Sequence, residues 1–255
     1  MKGKDIGVVL VDEAVDFLRL ASEREFASLD DLKEYTIEEL LPQNSEQVRR
    51  RYASLLTKRL FEDDPYYDPD SEDDLDTPLV RATDRLEQEA LELVILYHYA
   101  QSNELLRMTL VEFLFPASEE ERFMTARDFN SFLQEHDIDN AERTQKDLLR
   151  CFSEFGILDK EESGKYAFTG RQSLNAFAYA IHHELGEPQM YFIDDVLESL
   201  TRRSFLLQKQ TVHDMVYDGW HAEYWEYSFI SDMEQVKLYD TPYDFPERLT
   251  APSES

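Results

Sequence analysis

Five cations stand within one short stretch, "NSEQVRRRYASLLTKRLF" (44–61): Arg49, Arg50, Arg51, Lys58 and Arg59, against the single acid Glu46. Read as a helix, Val48, Tyr52, Leu55 and Leu56 form a core-facing stripe, and Arg50, Arg51, Ser54, Thr57 and Lys58 share the face away from it. Guanidinium, ammonium and hydroxyl donors grouped in this way suit the phosphate oxygens of a nucleic-acid backbone. Pairing with acids elsewhere in the chain, or with a protein partner, is the alternative use. A second group lies in "DNAERTQKDLLRCFSEFGILDKEESGKYAFTG" (139–170). There Arg143, Lys146 and Arg150 fall opposite Ala141, Leu148, Phe152 and Phe155 on the helical wheel, with Lys160 and Lys165 following on a segment that turns at Gly164. Such a helix can lie on DNA with a wing beside it. Equally, Glu142 with Lys146, Arg143 with Asp147, and Arg150 with Glu154 are i,i+4 pairs that solubilise an exposed helix.

Catalytic chemistry is poorly represented. The sequence has no phosphate-binding glycine loop, no dinucleotide fingerprint and no nucleophile elbow, and contains only seven glycines. His182, His183 and Glu184, and the spaced pair His213 and His221, do not follow the H-E-x-x-H pattern. No cysteine pair completes a tetrahedral set, so neither a metal ligand nor a cofactor is predicted. The single cysteine, Cys151, falls within an apolar helical stripe and reads as a small buried hydrophobe. Tyr217, Trp220, Tyr224, Trp225 and Tyr227 could stack on bases, but core or interface packing is the commoner use of such a series.

The elements that must position these residues are helical nearly throughout. Ser28, followed by Asp30 and Asp31, caps a helix that Pro42 ends, and Asn44 or Ser45 starts the basic helix. Residues 62–76 hold nine acids, two prolines and no cation, which reads as an exposed loop or linker. A long helical region from about Pro78 to Asn103 follows, then another to Pro116. Helices over 125–136 and 141–156 precede a hairpin formed by Ile157, Leu158, Tyr166 and Phe168 around Gly164, the order of a winged helix. Helices over 173–185 and 191–203 come next, then an aromatic stretch able to supply strands or a second wing.

This predicts a mainly α fold, with a bundle-like N-terminal part and a winged-helix part. The expected regions are 1–61, an acidic linker 62–77, a helical and winged-helix domain 78–186, and a C-terminal region 187–255 with a disordered tail. The formal net charge is −29, with 55 acids against 26 basic residues, so any nucleic-acid contact must be confined to a local basic face. Acidity on this scale suits a high-salt cytoplasm, where screening removes self-repulsion. Neither the N-terminal "MKGKDIGVVLVDEAVDF" nor the stretch "ALELVILYHYA" has the form of a signal peptide or membrane span, which points to a cytoplasmic protein.

Several stretches together resemble the BrxA family, small components of BREX bacteriophage-exclusion systems. They are "SEQVRRRYASLLTKRLF" (45–61), "LELVILYHYAQSNELLRMTLVEFLFPA" (91–117), "TARDFNSFLQEH" with "ERTQKDLLRCFSEFGILDK" (125–160), and "SLNAFAYAIHHEL". The likeness covers roughly residues 15–205. It implies a non-catalytic, helical protein with a winged-helix portion that binds double-stranded DNA and works beside a methyltransferase, a phosphatase-like protein and a large ATPase. It also implies a helical part similar to the RNA-binding antitermination factor NusB. The acidity, the 62–76 insert and the aromatic tail depart from the family pattern. The other functional expectations are an adaptor that binds protein without touching DNA, and an RNA-binding or transcriptional regulator.

Overall fold

The computed structural model describes residues 9–23, 26–230 and 233–249. The tail expected to be disordered, beyond Leu249, and the first eight residues lie outside them. The helices in the first half are α1 (Val11–Ser22), α2 (Leu29–Tyr35), α3 (Glu46–Thr57), α4 (Pro78–Thr83), α5 (Gln88–Ser102), α6 (Glu104–Met108) and α7 (Phe115–Glu120). Wide π-helical turns extend α2 over Thr36–Leu40 and α3 over Lys58–Glu62, and another, Thr109–Leu114, joins α6 to α7. Strand β1 (Phe123–Thr125) leads into α8 (Ala126–Glu135) and α9 (Ala141–Glu154), then β2 (Leu158–Glu162) and β3 (Lys165–Phe168). The chain continues through α10 (Leu174–Leu185), β4 (Met190–Phe192), α11 (Ile193–Leu197), α12 (Leu200–Ser204), α13 (Lys209–His221), β5 (Trp225–Ile230) and β6 (Met233–Leu238).

Helix α5 explains the arrangement. It is apolar on all sides, with Leu91, Leu93, Val94, Ile95, Leu96, Tyr97, His98, Tyr99 and Ala100 buried, so it must be wrapped by other helices. Helices α1, α6, α10 and α12 pack against it. On α10, Ala176, Ala178 and Ala180 are fully buried and let the backbones of the two central helices approach. One apolar cluster runs from Val9 to Leu249 and joins all of these elements. The strands form two small antiparallel sheets, ordered β1-β3-β2 and β4-β6-β5.

Of the caps expected from sequence, the one at Ser28 is made by its side chain, whereas Ser45 stands extended before α3 with no side-chain cap hydrogen bond. Ser28 accepts from the Asp31 N–H at 3.2 Å, Thr125 from Asp128 at 3.1 Å and Ser173 from Ala176 at 3.2 Å. Two long helical expectations are corrected. The region 78–103 breaks at 84–87, where the extended Glu87 restarts the chain; α4 thereby buries Leu79 and Val80 while α5 enters the centre. The region 191–203 opens as strand β4, paired to β6 through Tyr191 and Val236, and is broken again at Ser199. The extended Ser199 caps α12 with its hydroxyl, which accepts from Arg202 N–H at 3.1 Å.

The 62–76 segment is not the freely exposed linker its composition suggests. Residues 68–73 are exposed, yet Asp64 and Leu75 are buried, as is Thr77 just after the segment. Asp74 accepts from the Leu29 N–H at 3.0 Å, and Asp76 pairs with Arg81 at 2.6 Å. The acids at its ends are used by backbone donors and cations from other elements, which composition alone does not reveal.

Candidate nucleic-acid interface and a buried acid–histidine cluster

The basic helix α3 divides its cations between two tasks. Arg49 turns inward: its Nε donates to Ile37 O at 2.6 Å and its Nη1 to Gln43 O at 2.7 Å, tying down the end of the preceding helix and the loop after it. Arg59 is buried, with its guanidinium 4.7 Å from the centre of the Tyr99 ring. The wide turn Lys58–Glu62 buries Arg59, Leu60 and Phe61 in succession, and Arg59 falls in line with the apolar stripe of Val48, Tyr52, Leu55 and Leu56 rather than with the outward cations. These two are therefore structural residues in this fold and are removed from the phosphate-facing set. Arg50 is exposed and paired with Glu46 at 2.9 Å and Glu34 at 3.2 Å, which raises its pKa further. Arg51 and Ser54 on α3 and Lys58 on the wide turn after it are exposed, whereas Thr57, expected on the same face, is buried and turns its hydroxyl back to Ser54 O at 3.2 Å.

On α9 the predicted division holds. Leu148, Phe152 and Phe155 are buried, and Arg143, Lys146 and Arg150 are exposed. Arg143 lies 3.9 Å from Asp147, and Arg150 lies 2.5 Å from Glu154, whose hydrogen bond raises the arginine pKa. Gln145 is buried and donates to Ala126 O, locking α9 to the start of α8. Lys160 is exposed on β2. Lys165 on β3 stands 4.0 Å over the Phe123 ring and 3.8 Å from Glu162. The hairpin turns through Gly164 at φ +77°, and β1 adds a third strand through the Met124–Tyr166 register.

The two basic helices meet at one cleft. Gln43, Tyr52 of α3 and Arg150 and Glu154 of α9 line it together with Asp12 and Glu13, around about 360 Å³. Arg150 is the one cation lining it, α3 contributes only Tyr52, and the acids Asp12 and Glu13 of α1 stand in the same lining, so this cleft does not bring the cations of the two helices together. Cys151 faces inward here, and burial pushes its thiol up to about 12, the behaviour of an unreactive core residue.

A different set of residues converges at the centre of the bundle. Asp64 follows the turn after α3, His98 lies on α5 and His183 on α10, and their side chains are 0%, 1% and 1% exposed. Asp64 Oδ2 is 3.3 Å from His98 Nδ1 and 3.2 Å from His183 Nε2. Tyr179 Oη is 3.1 Å from His98 Nε2, and Tyr97 Oη is 3.2 Å from His183 Nδ1. Burial drives the His98 pKa down to about 3 against the pull of Asp64, while the His183 hydrogen bond and both imidazoles hold the Asp64 carboxyl low despite its own burial. These three side chains are of the type that holds a divalent metal. They stand far apart along the chain, so no ligand spacing marks them in the sequence. Only the adjacency of His182 and His183 signalled anything, and His182 is a core residue, stacked 3.6 Å from Phe245 with Nδ1 bonded to Ala178 O. Of the aromatic series, Tyr224 and Trp225 are buried, while Tyr217 and Trp220 are exposed.

Among the described residues no helix is long and apolar enough to cross a membrane. Compared with known protein families, characterised proteins and solved structures, the chain matches none of them.

Proposed function

We propose that this chain is a non-catalytic DNA-binding accessory subunit of a BREX-type anti-phage system, acting beside a methyltransferase, a phosphatase-like protein and an ATPase. The observation that carries the DNA-binding part is the unit from β1 to β3. Two amphipathic helices joined by a short turn, with an antiparallel hairpin and a third strand across it, have the order of a winged helix. In that reading α9 is the helix presented to the duplex through Arg143, Lys146 and Arg150. Arg50 and Arg51 of α3, Lys58 on the turn that follows it and Lys160 on the hairpin add backbone contacts. The system-level assignment rests on the resemblance of the quoted stretches to the BrxA family.

Fluorescence anisotropy on duplex DNA across a salt series tests it. Each phosphate contact contributes about 0.9 to the slope of log affinity against log salt. The Arg143→Glu/Arg150→Glu protein should lose binding and flatten that slope by roughly two contacts. Undiminished binding by that double variant sinks the assignment of α9 as the DNA-facing helix.

A second reading, a protein-binding adaptor, is favoured by the outer side of the C-terminal sheet. Met190, Phe192, Ile230 and Met233 are each about half exposed there, at 47%, 50%, 54% and 46%. Absence of DNA binding by the wild-type chain at any salt would put this reading first.

A further inference from the structure

The separations of Asp64 Oδ2 from His98 Nδ1 and His183 Nε2 match those between ligands of a tetrahedral metal. A zinc ion with nitrogen and oxygen ligands at about 2.0–2.1 Å holds its ligand atoms roughly 3.3 Å apart. Asp64 Oδ2 stands 3.3 Å from His98 Nδ1 and 3.2 Å from His183 Nε2, and the ligand atoms all lie within 4.8 Å of one another. The three side chains thus converge on one buried space, with Asp64 Oδ2 at the spacing of a neighbouring ligand from each imidazole nitrogen. We propose that Asp64, His98 and His183 form a structural zinc site that fastens the segment after α3 to the two central helices.

The donor set selects the metal. Two imidazoles disfavour magnesium and calcium, which take oxygen ligands, and suit zinc and its first-row neighbours. All three side chains are sealed from solvent, so the site lacks the open position that catalysis or oxygen chemistry needs. The second carboxylate oxygen, Asp64 Oδ1, lies 3.3 Å from His183 Nε2 and is oriented by the Tyr66 N–H at 2.8 Å, so the carboxylate can chelate through both oxygens, with a narrower angle there than in a regular tetrahedron.

The surroundings have the second layer that metal-bound histidines require. His98 turns its other nitrogen to Tyr179 and His183 turns its own to Tyr97, so each ring is held by a phenol oxygen on the side away from Asp64. Gln101 lies behind Tyr97, with Nε2 2.7 Å from the phenol oxygen and a buried Oε1 that has no partner. With that amide turned over, its carbonyl accepts a hydrogen bond from the Tyr97 hydroxyl and leaves the phenol oxygen free to accept from His183 Nδ1–H. The metal-bound state thus places the ring protons on His98 Nε2 and His183 Nδ1. A metal-free network places them on the opposite nitrogens, His98 Nδ1 and His183 Nε2, where they face the carboxylate. The two states are distinguishable atom by atom.

The test uses the full chain, purified without a metal-binding tag and dialysed. Plasma mass spectrometry should find about one zinc per chain, and long-range nitrogen–proton NMR should place the ring protons on His98 Nε2 and His183 Nδ1. Asp64→Asn and His98→Gln should each lose most of the zinc, whereas His213→Gln, at a surface pair with Glu234, should keep it. Strong chelator in mild denaturant should lower the melting temperature of wild type, and added zinc should restore it. Wild-type protein refolded with excess zinc that contains none, and whose melting temperature ignores zinc and chelator, overturns the proposal. So does zinc retained undiminished by folded Asp64→Asn, which marks an adventitious ion on the acidic surface. Should neither variant fold, the wild-type zinc content and proton positions still decide.

Discussion

Replacing Arg49 by methionine separates the structural cations from the nucleic-acid-facing ones. Arg49 sits in a run of three arginines, but its guanidinium is spent on two backbone carbonyls, Ile37 O at 2.6 Å and Gln43 O at 2.7 Å. Ile37 lies in the last turn of the helix that begins at Leu29, where carbonyls lack partners within the helix. Methionine keeps the apolar stem and removes both bonds. A hydrogen bond to a charged group contributes about 1.5–3 kcal/mol when buried. Partial exposure of Arg49 lets water replace some of each, so the pair together contributes about 2–3 kcal/mol. For a chain of this size that corresponds to a fall in melting temperature of about 5–10 °C. Thermal and urea unfolding measure it, and the variant's anisotropy salt slope, taken well below its melting point, should equal that of wild type. A fall of less than about 2 °C, or a salt slope smaller by about one contact, would refute the assignment of Arg49 to the fold.

Three other outcomes follow from the packing and the charge. Gly219→Ala places a Cβ inside the Trp225 ring, against Cζ2, Cε2 and Cη2 of a side chain whose Nε1 donates to Val216 O at 2.8 Å. We expect a loss of about 3 kcal/mol and altered near-ultraviolet tryptophan dichroism; an unchanged spectrum and melting point would show that α13 can move aside. Burial holds His182 neutral in the folded state down to about 4, whereas the unfolded chain takes up that proton near 6.5. Its contribution is complete above about pH 6.5 and declines by about 1.4 kcal/mol per unit as pH falls toward 4. Urea midpoints at several pH values should fall less steeply for His182→Gln than for wild type, and parallel profiles would contradict this. Finally, with a net charge of −29, melting temperature should rise as KCl is increased toward molar levels; a flat response removes the salt-adaptation account of the composition.

What the sequence determined by itself was local. The Ser28 cap, the paired helices before Gly164 and the hairpin around it rest on contacts between residues a few positions apart, and spacing records such contacts directly. The outward face of α9 was legible for the same reason, since one helix carries both its apolar and its basic stripe. Tertiary structure decided everything that depended on a distant partner. Arg49 looks like its neighbours until the carbonyls of Ile37 and Gln43 arrive, and Arg59, though in line with the apolar stripe of its helix, can be buried only because the ring of Tyr99 comes to it from elsewhere in the chain. Asp64 is one acid among nine in a run whose composition argues for solvent. It is buried because α5 and α10 bring His98 and His183 to it from 34 and 119 residues away, and a charged group can leave water only where such partners are already in place.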